Sequence, residues 1–326
     1  MTPLSVRSES FDSIEVEWEQ LLPETAADTI FITPWWQRLW LEHYGQEADL
    51  HILSVRQGEV LIGIAPLMLT NGVLSFLGDT DLFDYHDFLV RKGREVEFYN
   101  ALCEYLVEME WHTLELKSLR ESSPALVHLK ALAEQKGFRT EIVEEDVSPY
   151  AVLTPTWDEY QASMRKKDRH ELRRKLRRLD AADNARQYSC DDPLTMAEHM
   201  PDFFRLMRAS SHDKDEFLTE DRELFFKDMA VRLAEKGIFK LFFLEVGNVR
   251  VASCIVFDYG DAYLLYNSGY DPEYSSLSVG LLNKALCLRE AVEKGRSCFD
   301  FLRGPERYKY DLGGRNQTVY QITIRR

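Results

Sequence analysis

Apolar and polar residues alternate along this chain with two periodicities, and these periodicities predict its secondary structure. Strict alternation is typical of half-buried strands, whereas apolar residues spaced by three or four positions are typical of amphipathic helices. In the first half, the pattern predicts helices at 11–22, 34–44, 94–109 and 123–136. It predicts strands at 50–56, 60–70, 73–77, 87–90, 112–117, 138–143 and 150–153.

The second half of the chain repeats this order of elements. Its pattern predicts helices at 157–163, 167–182, 195–210, 221–236 and 278–294. It predicts strands at 186–189, 239–246, 250–259, 262–270, 298–302 and 319–324. Gly58 and Gly247 stand at corresponding hairpin turns, 189 positions apart, and in each series further strands, a helix and one more strand follow the hairpin.

A repeat of this length predicts two similar domains in tandem. We expect the α/β fold class, with mixed α+β domains. One domain would span 1–153 and the second 154–326. Each domain would be a twisted mixed sheet flanked by helices. The residues alone leave open another arrangement, an α/β domain beside an unrelated α+β domain.

Composition indicates a globular protein with reduced thiols. With 326 residues, 45% of them hydrophobic, the chain is long enough for two buried cores. Its five cysteines show no CxxC spacing, which favours reduced thiols in a cytoplasmic protein. The most apolar run, 60–69, is too short to cross a bilayer, and no signal-peptide pattern opens the chain. We therefore expect a cytoplasmic location without stable membrane insertion.

The formal net charge of −15 is divided unevenly between the two halves. Residues 1–150 contain 27 Asp and Glu against 11 Lys and Arg, a net charge of −16. Residues 151–326 contain 28 Asp and Glu against 29 Lys and Arg, a net charge of +1. The second half is therefore the better candidate for contact with an anionic partner.

A strand-to-helix turn at Ser278, Val279 and Gly280 is the first candidate site. The N–H groups that open a helix have no partner within it, and they favour a phosphate or a carboxylate. We therefore predict that these three residues bind the donor. Serine is also a favoured helix cap, so Ser278 could simply cap this helix.

The strand predicted at 298–302 leads directly into a second group of candidate residues. Arg303 and Gly304 would contact the donor, because a guanidinium group binds a phosphate or carboxylate through two hydrogen bonds. Lys309 could stabilise an oxyanion or hold donor phosphates, and Tyr308 could protonate a leaving group. Asp300, on the strand itself, is the third predicted catalytic residue. A purely structural network, with Asp300 paired to Arg303 or Lys309, is the alternative.

The stretch SGYDPEY, LSVGLL and FDFLRGPERYK resembles the acetyltransferase-like family associated with cellulose biosynthesis, within the GNAT superfamily. It is also similar to FemAB-type transferases, whose C-terminal region has a Lys followed by a Gly pair, here Lys309 with Gly313 and Gly314. The resemblance is strong over 156–315 and weaker at 32–40 and 84–90. It implies two tandem GNAT-like domains and transfer of an acyl or aminoacyl group to an acceptor, often an amine.

The resemblance also implies acyl-CoA as co-substrate, although one motif departs from the pattern. Acetyl-CoA enzymes carry Gln/Arg-x-x-Gly-x-Gly/Ala around the pyrophosphate, whereas this chain has SSLSVG with a single glycine. The departure favours a second reading, a FemAB-type aminoacyltransferase that uses charged tRNA. The acceptor would be a small molecule or a cell-envelope precursor.

A basic run, RKKDRHELRRKLRR at 165–178, is a further candidate. It contains nine Lys and Arg against one Asp and one Glu, a local charge of +7. Leu172, Leu176 and Leu179 form one apolar stripe, so the helix would present its cations outward. We predict donor binding by Arg173 and Arg174, through the 3′-phosphate of CoA, a tRNA acceptor stem, a nucleotide-linked sugar or anionic lipid. A solvated helix is the alternative.

The first half contributes the acidic cluster Asp84, Tyr85 and Asp87. With His212 from the second half, these residues are predicted to bind the amine or hydroxyl acceptor in a groove. A turn with capped ends is the alternative. No supporting ligand accompanies the cluster, and we expect no metal site.

These residues predict an acyltransferase that works by direct attack in a ternary complex. The C-terminal domain would hold the donor and the N-terminal domain would shape the acceptor groove. No Ser-His-Asp or Cys-His constellation indicates a covalent acyl-enzyme. A non-catalytic module that binds an anionic polymer is the alternative from outside the enzymes.

Overall fold

The computed structural model describes residues 3–326, with the side chain of Glu47 excepted. The chain forms two compact units. The first unit contains the chain up to Val147 together with Gln317–Arg326, and the second contains Ser148–Asn316.

Strands and helices are numbered in chain order. The strands are β1 (Leu4–Glu9), β2 (Asp49–Gln57), β3 (Val60–Thr70), β4 (Val73–Phe76), β5 (Leu89–Val90), β6 (Thr113–Arg120), β7 (Arg139–Val152), β8 (Arg186–Cys190), β9 (Phe239–Val246), β10 (Val249–Tyr259), β11 (Ala262–Tyr270), β12 (Cys298–Asp300) and β13 (Arg315–Arg325). The α-helices are α1 (Phe11–Leu21), α2 (Pro34–Tyr44), α3 (Glu95–Glu108), α4 (Ala125–Gln135), α5 (Trp157–Ser163), α6 (Lys166–Asp180), α7 (Met196–Ser210), α8 (His212–Phe217), α9 (Glu220–Glu235), α10 (Val279–Glu293) and α11 (Arg307–Asp311).

The first unit contains a mixed sheet in which neighbouring strands follow the order β1-β2-β3-β4-β6-β13. β4 and β6 run parallel, while the other neighbours in this order run antiparallel. β5 pairs with β3 outside this path. The apolar faces of these strands pack against α3 and α4, where Phe98, Leu102 and Leu129 are buried.

The strands of the second unit also pair in a mixed arrangement, in which the last residues of β7 are followed by β12, β11, β10, β9 and β8. β11 and β12 run parallel, and the other pairs run antiparallel. Helix α10 lies on this sheet, and Leu282, Ala285 and Leu288 are buried with the strands. Because α10 has ten buried residues along its length, it is held firmly against the strands that frame the candidate site.

The predicted repeat is confirmed by the strand pairing within each unit. A hairpin with a left-handed glycine, Gly58 in one unit and Gly247 in the other, joins β2 to β3 and β9 to β10. Glycine adopts this backbone conformation without the steric cost that other residues carry. The parallel pair β4 and β6 then corresponds to the parallel pair β11 and β12.

Several predicted elements differ from the observed ones. The strands expected at 138–143 and 150–153 form one continuous strand, β7. Much of this strand is exposed or half-buried, so its charged residues do not interrupt it. The last strand belongs to the first unit and not to a domain at 154–326, because β13 forms an antiparallel ladder with β6. β1, α8 and α11 were not expected from the pattern, since each is short and rich in polar residues.

None of the helices within residues 3–326 combines the length and the apolar character needed to cross a bilayer.

Gly269 shows how closely the second unit is packed beside its sheet. It lies on β11, where the strand passes against α7. A Cβ atom at this position would lie 2.3 Å from the backbone nitrogen of Met207 and 2.4 Å from the carbonyl carbon of Leu206. The obstacle is backbone, so a change of side-chain rotamer cannot relieve the clash.

We expect Gly269→Ala to lower the free energy of unfolding by about 1–3 kcal/mol or more, because the methyl group must displace the α7 backbone. Urea denaturation followed by tryptophan fluorescence measures this. Ser268→Ala, at the adjacent buried position, is the control and should cost less than about 1 kcal/mol. Equal stability of the two variants would contradict the close approach of β11 and α7.

Candidate functional site

A gap opens in the second unit where two parallel strands separate. β11 and β12 pair from Ala262 opposite Cys298 to Leu264 opposite Asp300. β11 then continues to Tyr270, whereas the chain after Asp300 leaves the pairing. We call the space beyond these pairs the strand gap.

The end of β12 is fixed by an unusual backbone turn. Leu302 has a φ of 59°, in the left-handed region that costs a side-chain-bearing residue about 1–3 kcal/mol. Asp300 stabilises this turn, because its Oδ1 accepts a hydrogen bond from the Leu302 backbone N–H at 2.8 Å. The same oxygen accepts the hydroxyl of the buried Ser148 at 3.5 Å. Asp300 therefore acts on the backbone of the strand end.

Lys309 holds the other side of this turn. Its side chain is buried, and its Nζ donates to the carbonyl oxygens of Leu302 at 2.9 Å and Arg303 at 2.6 Å. It also pairs with Glu306 Oε2 at 3.0 Å. An ammonium group has three donors, and all three have partners here. The predicted direct contact of Lys309 with an oxyanion is therefore corrected to a positioning role, in which it holds the turn.

Gly304 is required by the same turn. Its φ is 108°, and a Cβ atom there would lie 2.4 Å from Glu306 Oε2. A side chain at this position would displace the carboxylate that pairs with Lys309. Arg303, beside it, is half-buried.

Lys284 brings a second ammonium group to this region. It lies on α10 and is 6% exposed, and its Nζ donates to the carbonyl oxygen of Gly280 at 3.1 Å. The same nitrogen lies over the Tyr308 ring, 4.7 Å from the ring centroid, in cation–π geometry. Burial lowers the pKa of Lys284. Tyr308 is thus tied to α10 and to the turn that carries Lys309.

Lys214 supplies a third ammonium group. It lies on α8, and its Nζ donates to the carbonyl oxygen of Ser268 on β11. Burial, and then the charge of Lys284, lower the pKa of Lys214 to about 8. The charge of Lys309 acts in the same direction. We call Lys214, Lys284 and Lys309 the lysine cluster. It concentrates positive charge beside the strand gap, where an anion or a developing oxyanion would be stabilised.

The start of α10 differs from the expectation of a serine cap. Ser278 is at the N-cap with a left-handed φ of 59°, and its side chain makes no capping hydrogen bond. Its Oγ instead accepts from Arg178 Nη2 at 3.2 Å. Val279 is buried, and Gly280 packs against Tyr270, whose ring a Cβ atom would approach to 2.8 Å. The close neighbour of Gly280 is thus the Tyr270 ring, and donor binding by these three residues stays a prediction.

The basic helix α6 contacts the start of α10 through Arg178, whereas Arg173 and Arg174, the residues predicted to bind the donor, have other partners. Arg173 Nε donates to Gln161 Oε1 at 2.8 Å, and Arg174 pairs with Glu171 at 2.7 Å. Both side chains point outward, because the stripe of Leu172 and its neighbours faces the core. Donor binding by these two arginines stays a prediction.

The acidic cluster of the first unit is largely buried. Tyr85 and Asp87 are 2% and 6% exposed, so the predicted contact with an acceptor is corrected for both. Asp87 Oδ1 accepts the backbone N–H of Phe88 at 2.8 Å and the Ser123 hydroxyl at 2.9 Å. Burial raises the pKa of Asp87 to about 6. The residue stabilises a turn, which is the alternative given above, and Asp84 beside it is half-buried.

His212 has a different environment from that cluster. It lies in the second unit at the start of α8, its side chain is 80% exposed, and it pairs with Glu216 at 3.2 Å. The structure thus assigns His212 and Asp84 to different units.

Within residues 3–326, no group of three or more His, Cys, Asp or Glu side chains is arranged to hold a metal ion.

Sequence reasoning missed Lys214, Lys284, Glu306 and Arg178. Lys284 is a single cation inside an apolar helix pattern, and this is a signal that could have identified it, because such a residue must find partners when buried. Lys214 lies in a polar segment between the predicted helices at 195–210 and 221–236, and α8 is what places it. Neither lysine is near Lys309 in sequence.

The low pKa of Lys214 has a consequence for stability. Its folded-state pKa lies below the ordinary value of 10.5, so between about pH 8 and 10.5 the folded protein binds fewer protons than the unfolded chain. Lys214 therefore contributes an increase in the free energy of unfolding as the pH rises through that window. Below about pH 8 the burial of the charge counts against the folded state.

We expect Lys214→Met to reduce this gain, measured as the change in the free energy of urea unfolding between pH 7.5 and 9.5. Lys166→Met, which removes an exposed lysine of α6, is the control and should keep the wild-type pH dependence. Identical pH profiles for wild type and Lys214→Met would show that Lys214 has an ordinary pKa.

Comparison with known proteins agrees with this architecture. Residues 166–310 match the family model described as the Acetyltransferase (GNAT) domain. No curated protein matches the sequence. Among solved structures, FemX is 12% identical with a TM-score of 0.67, and the match covers 97% of this chain and 96% of FemX.

Two further structures show the same fold. A tandem GNAT protein from the clavulanic acid biosynthesis pathway is 13% identical with a TM-score of 0.51, covering 98% of each chain. The C-terminal domain of a putative lysylphosphatidylglycerol synthetase from Agrobacterium fabrum is 8% identical with a TM-score of 0.59, covering 96% of this chain and 92% of that one. The expected fold of two tandem GNAT-like domains is thereby confirmed, and the residues that match the GNAT domain model lie in the second unit.

Proposed function

We propose that this chain transfers an acyl group from an activated thioester or ester donor to an amine or hydroxyl acceptor. The observation that carries the proposal is the lysine cluster beside the strand gap, together with the start of α10. The GNAT match over 166–310 includes all these elements and supports a transferase. An acyl-CoA is the donor that a GNAT domain favours.

The donor would be bound by Ser278, Val279 and Gly280, with Arg303 and Gly304 on the opposite side of the gap. In this arrangement the backbone of α10 faces the anionic part of the donor. The lysine cluster would then lie near the acyl carbonyl, where positive charge stabilises the tetrahedral oxyanion. Lys309 and Asp300 keep the turn after β12 in place.

The reaction would be a direct attack by the acceptor. The amine nitrogen or hydroxyl oxygen bonds to the acyl carbon, and the bond from that carbon to the donor sulfur or oxygen breaks. Lys214, with a pKa near 8, has a neutral fraction that can accept the acceptor's proton. Tyr308 would return a proton to the leaving group. No covalent acyl-enzyme is required.

The acceptor would be a small molecule or a cell-envelope precursor. Asp84 and His212 stay candidates for acceptor binding, and the assignment of donor and acceptor roles to the two units is part of the proposal. A role in cellulose biosynthesis and a cytoplasmic location rest on the sequence resemblance and composition, and both stay predictions.

The proposal is tested with wild-type protein and the variant Lys309→Met. Acetyl-CoA should bind in calorimetry, and acyl transfer to an amine acceptor should be measurable. Lys309→Met should lower kcat about 100-fold, because a turn shifted by about 1 Å misaligns the reacting groups. Lys130→Met, an exposed lysine of the first unit, is the control.

Circular dichroism must show that Lys309→Met keeps its fold. Full activity in that folded variant would contradict the role of the turn. Absence of binding and turnover with both thioester and aminoacyl-ester donors would contradict the transferase itself and would favour a non-catalytic binding module.

A second candidate donor, an aminoacyl-tRNA, is favoured by the outward face of α6. Three of the nine cations at 165–178 pair with a carboxylate, namely Arg165, Arg174 and Lys175. The other six form no ion pair within residues 3–326; they are Lys166, Lys167, Arg169, Arg173, Arg177 and Arg178. Such a face attracts a phosphodiester backbone and costs the helix stability when no partner is bound.

We expect the double variant Arg173→Gln/Arg177→Gln to weaken tRNA binding and to reduce the slope of log affinity against log salt by about 1.5, as two phosphate contacts are lost. Filter binding between 50 and 200 mM salt measures this slope. Arg289→Gln on α10, an exposed arginine outside α6, should leave it unchanged. Wild-type affinity and slope in the double variant would exclude α6 as a tRNA contact.

A further inference from the structure

A polar cleft in the second unit lies outside the strand gap and has no role in the proposed chemistry. Its volume is about 310 Å³, at the small end of the range for ligand pockets. We call it the Arg315 cleft. It is lined by Val152, Tyr160, Ser163, Met164, Arg165, Asp168, Tyr310, Gly313, Gly314 and Arg315.

The cleft is kept open by residues that have no side chain. Gly313 has a φ of 100°, and a Cβ atom there would lie 2.8 Å from the Tyr160 hydroxyl. That hydroxyl donates to the carbonyl oxygen of Leu312 at 2.6 Å, which fastens α5 to the turn after α11. Gly314 fits only without a side chain, because a Cβ atom would lie 2.7 Å from the carbonyl oxygen of Lys309. These close contacts define the floor of the cleft.

Arg315 supplies an uncompensated positive charge. Its guanidinium group makes no ion pair and no side-chain hydrogen bond within residues 3–326. The other two charges of the lining largely compensate each other, since Arg165 Nε donates to Asp168 Oδ2 at 2.6 Å. The lining side chains thus carry a net charge of +1, from two arginines and one aspartate. The protein has a net charge of −15 and many carboxylates. Arg315 pairs with none of them in residues 3–326 and lines this cleft instead.

The rest of the lining supplies apolar and aromatic surface. Met164 is buried, and Val152 and Tyr310 contribute to the walls. Tyr160 stacks on Trp157 with ring centroids 5.7 Å apart, so its ring is held in one orientation. A ligand that fits this lining has an anionic group joined to a flat or apolar body.

We propose that the Arg315 cleft binds a small molecule that carries a carboxylate or a phosphate on a flat or apolar body. Arg315 provides the fork of donors that both anions accept. The cleft adjoins the turn of the strand gap, because Gly314 N donates to the carbonyl oxygen of Lys309 at 2.8 Å. In the enzyme, the cleft holds the anionic part of the acceptor; this assignment rests on the proposed function, whereas the binding itself does not.

The test uses benzoate and phenyl phosphate as probes of the two anions, titrated into the full chain and followed by calorimetry and ligand-observed NMR. At least one probe should bind saturably to wild type. Arg315→Ala should weaken that binding about tenfold or more, and Arg315→Lys should fall between, because a lysine keeps the charge and loses the fork. Arg289→Ala, an exposed arginine outside the cleft, is the control and should bind as wild type does.

The stronger probe identifies the anion as carboxylate or phosphate. Arg315 is exposed, so its variants should keep the wild-type melting temperature, which is checked for each. Failure of both probes to bind wild type, or equal binding by wild type and Arg315→Ala, would overturn the proposal. These results do not depend on turnover, so they are distinguishable from a failure of the transferase assay.

Discussion

One buried ammonium group organises the candidate site. The Nζ of Lys309 is shared between the carbonyl oxygens of Leu302 and Arg303 and the carboxylate of Glu306. These bonds hold Leu302 in a left-handed conformation that it would otherwise avoid. They fix the turn that follows the last pair of β11 and β12, Leu264 opposite Asp300.

The same arrangement explains why positive charge can be buried here. Lys214, Lys284 and Lys309 each donate to backbone carbonyl oxygens, so each charge is solvated by the protein's own dipoles. The tyrosine ring over Lys284 contributes further. The cost is visible in the lowered pKa values of Lys214 and Lys284. Buried ammonium groups of this kind would be stabilised by the negative charge of a ligand or of a transition state.

Alternation and turn residues were sufficient to predict most of the fold. The pattern predicted β3, α2 and β11 with their observed bounds, and the glycine hairpins revealed the tandem repeat. Helix α8 was not predicted because five polar residues followed by one phenylalanine give no periodic signal. The membership of β13 in the first unit depends on a pairing between segments about 200 positions apart, which no local pattern contains.

The site could be predicted only where its residues are close in sequence. Asp300, Arg303, Gly304, Tyr308 and Lys309 follow one another along one strand end, and their proximity was expected. Lys214 and Lys284 come from separate helices, and their approach requires the packing of α8 and α10 around β11. Asp87 was expected to be accessible because it lies in an acidic turn. In the fold it is buried, and its carboxylate accepts hydrogen bonds from Ser123 and from the backbone N–H of Phe88.

The most direct measurement is a crystal structure of the protein with a hydrolysis-resistant donor, either a thioether analogue of acetyl-CoA or an amide-linked aminoacyl-adenosine. The account predicts that the acyl carbonyl lies in the strand gap, within hydrogen-bonding reach of Lys214, Lys284 or the α10 backbone, and that the turn held by Lys309 is unchanged. A donor analogue bound elsewhere, with its acyl group away from β11 and β12, would contradict it.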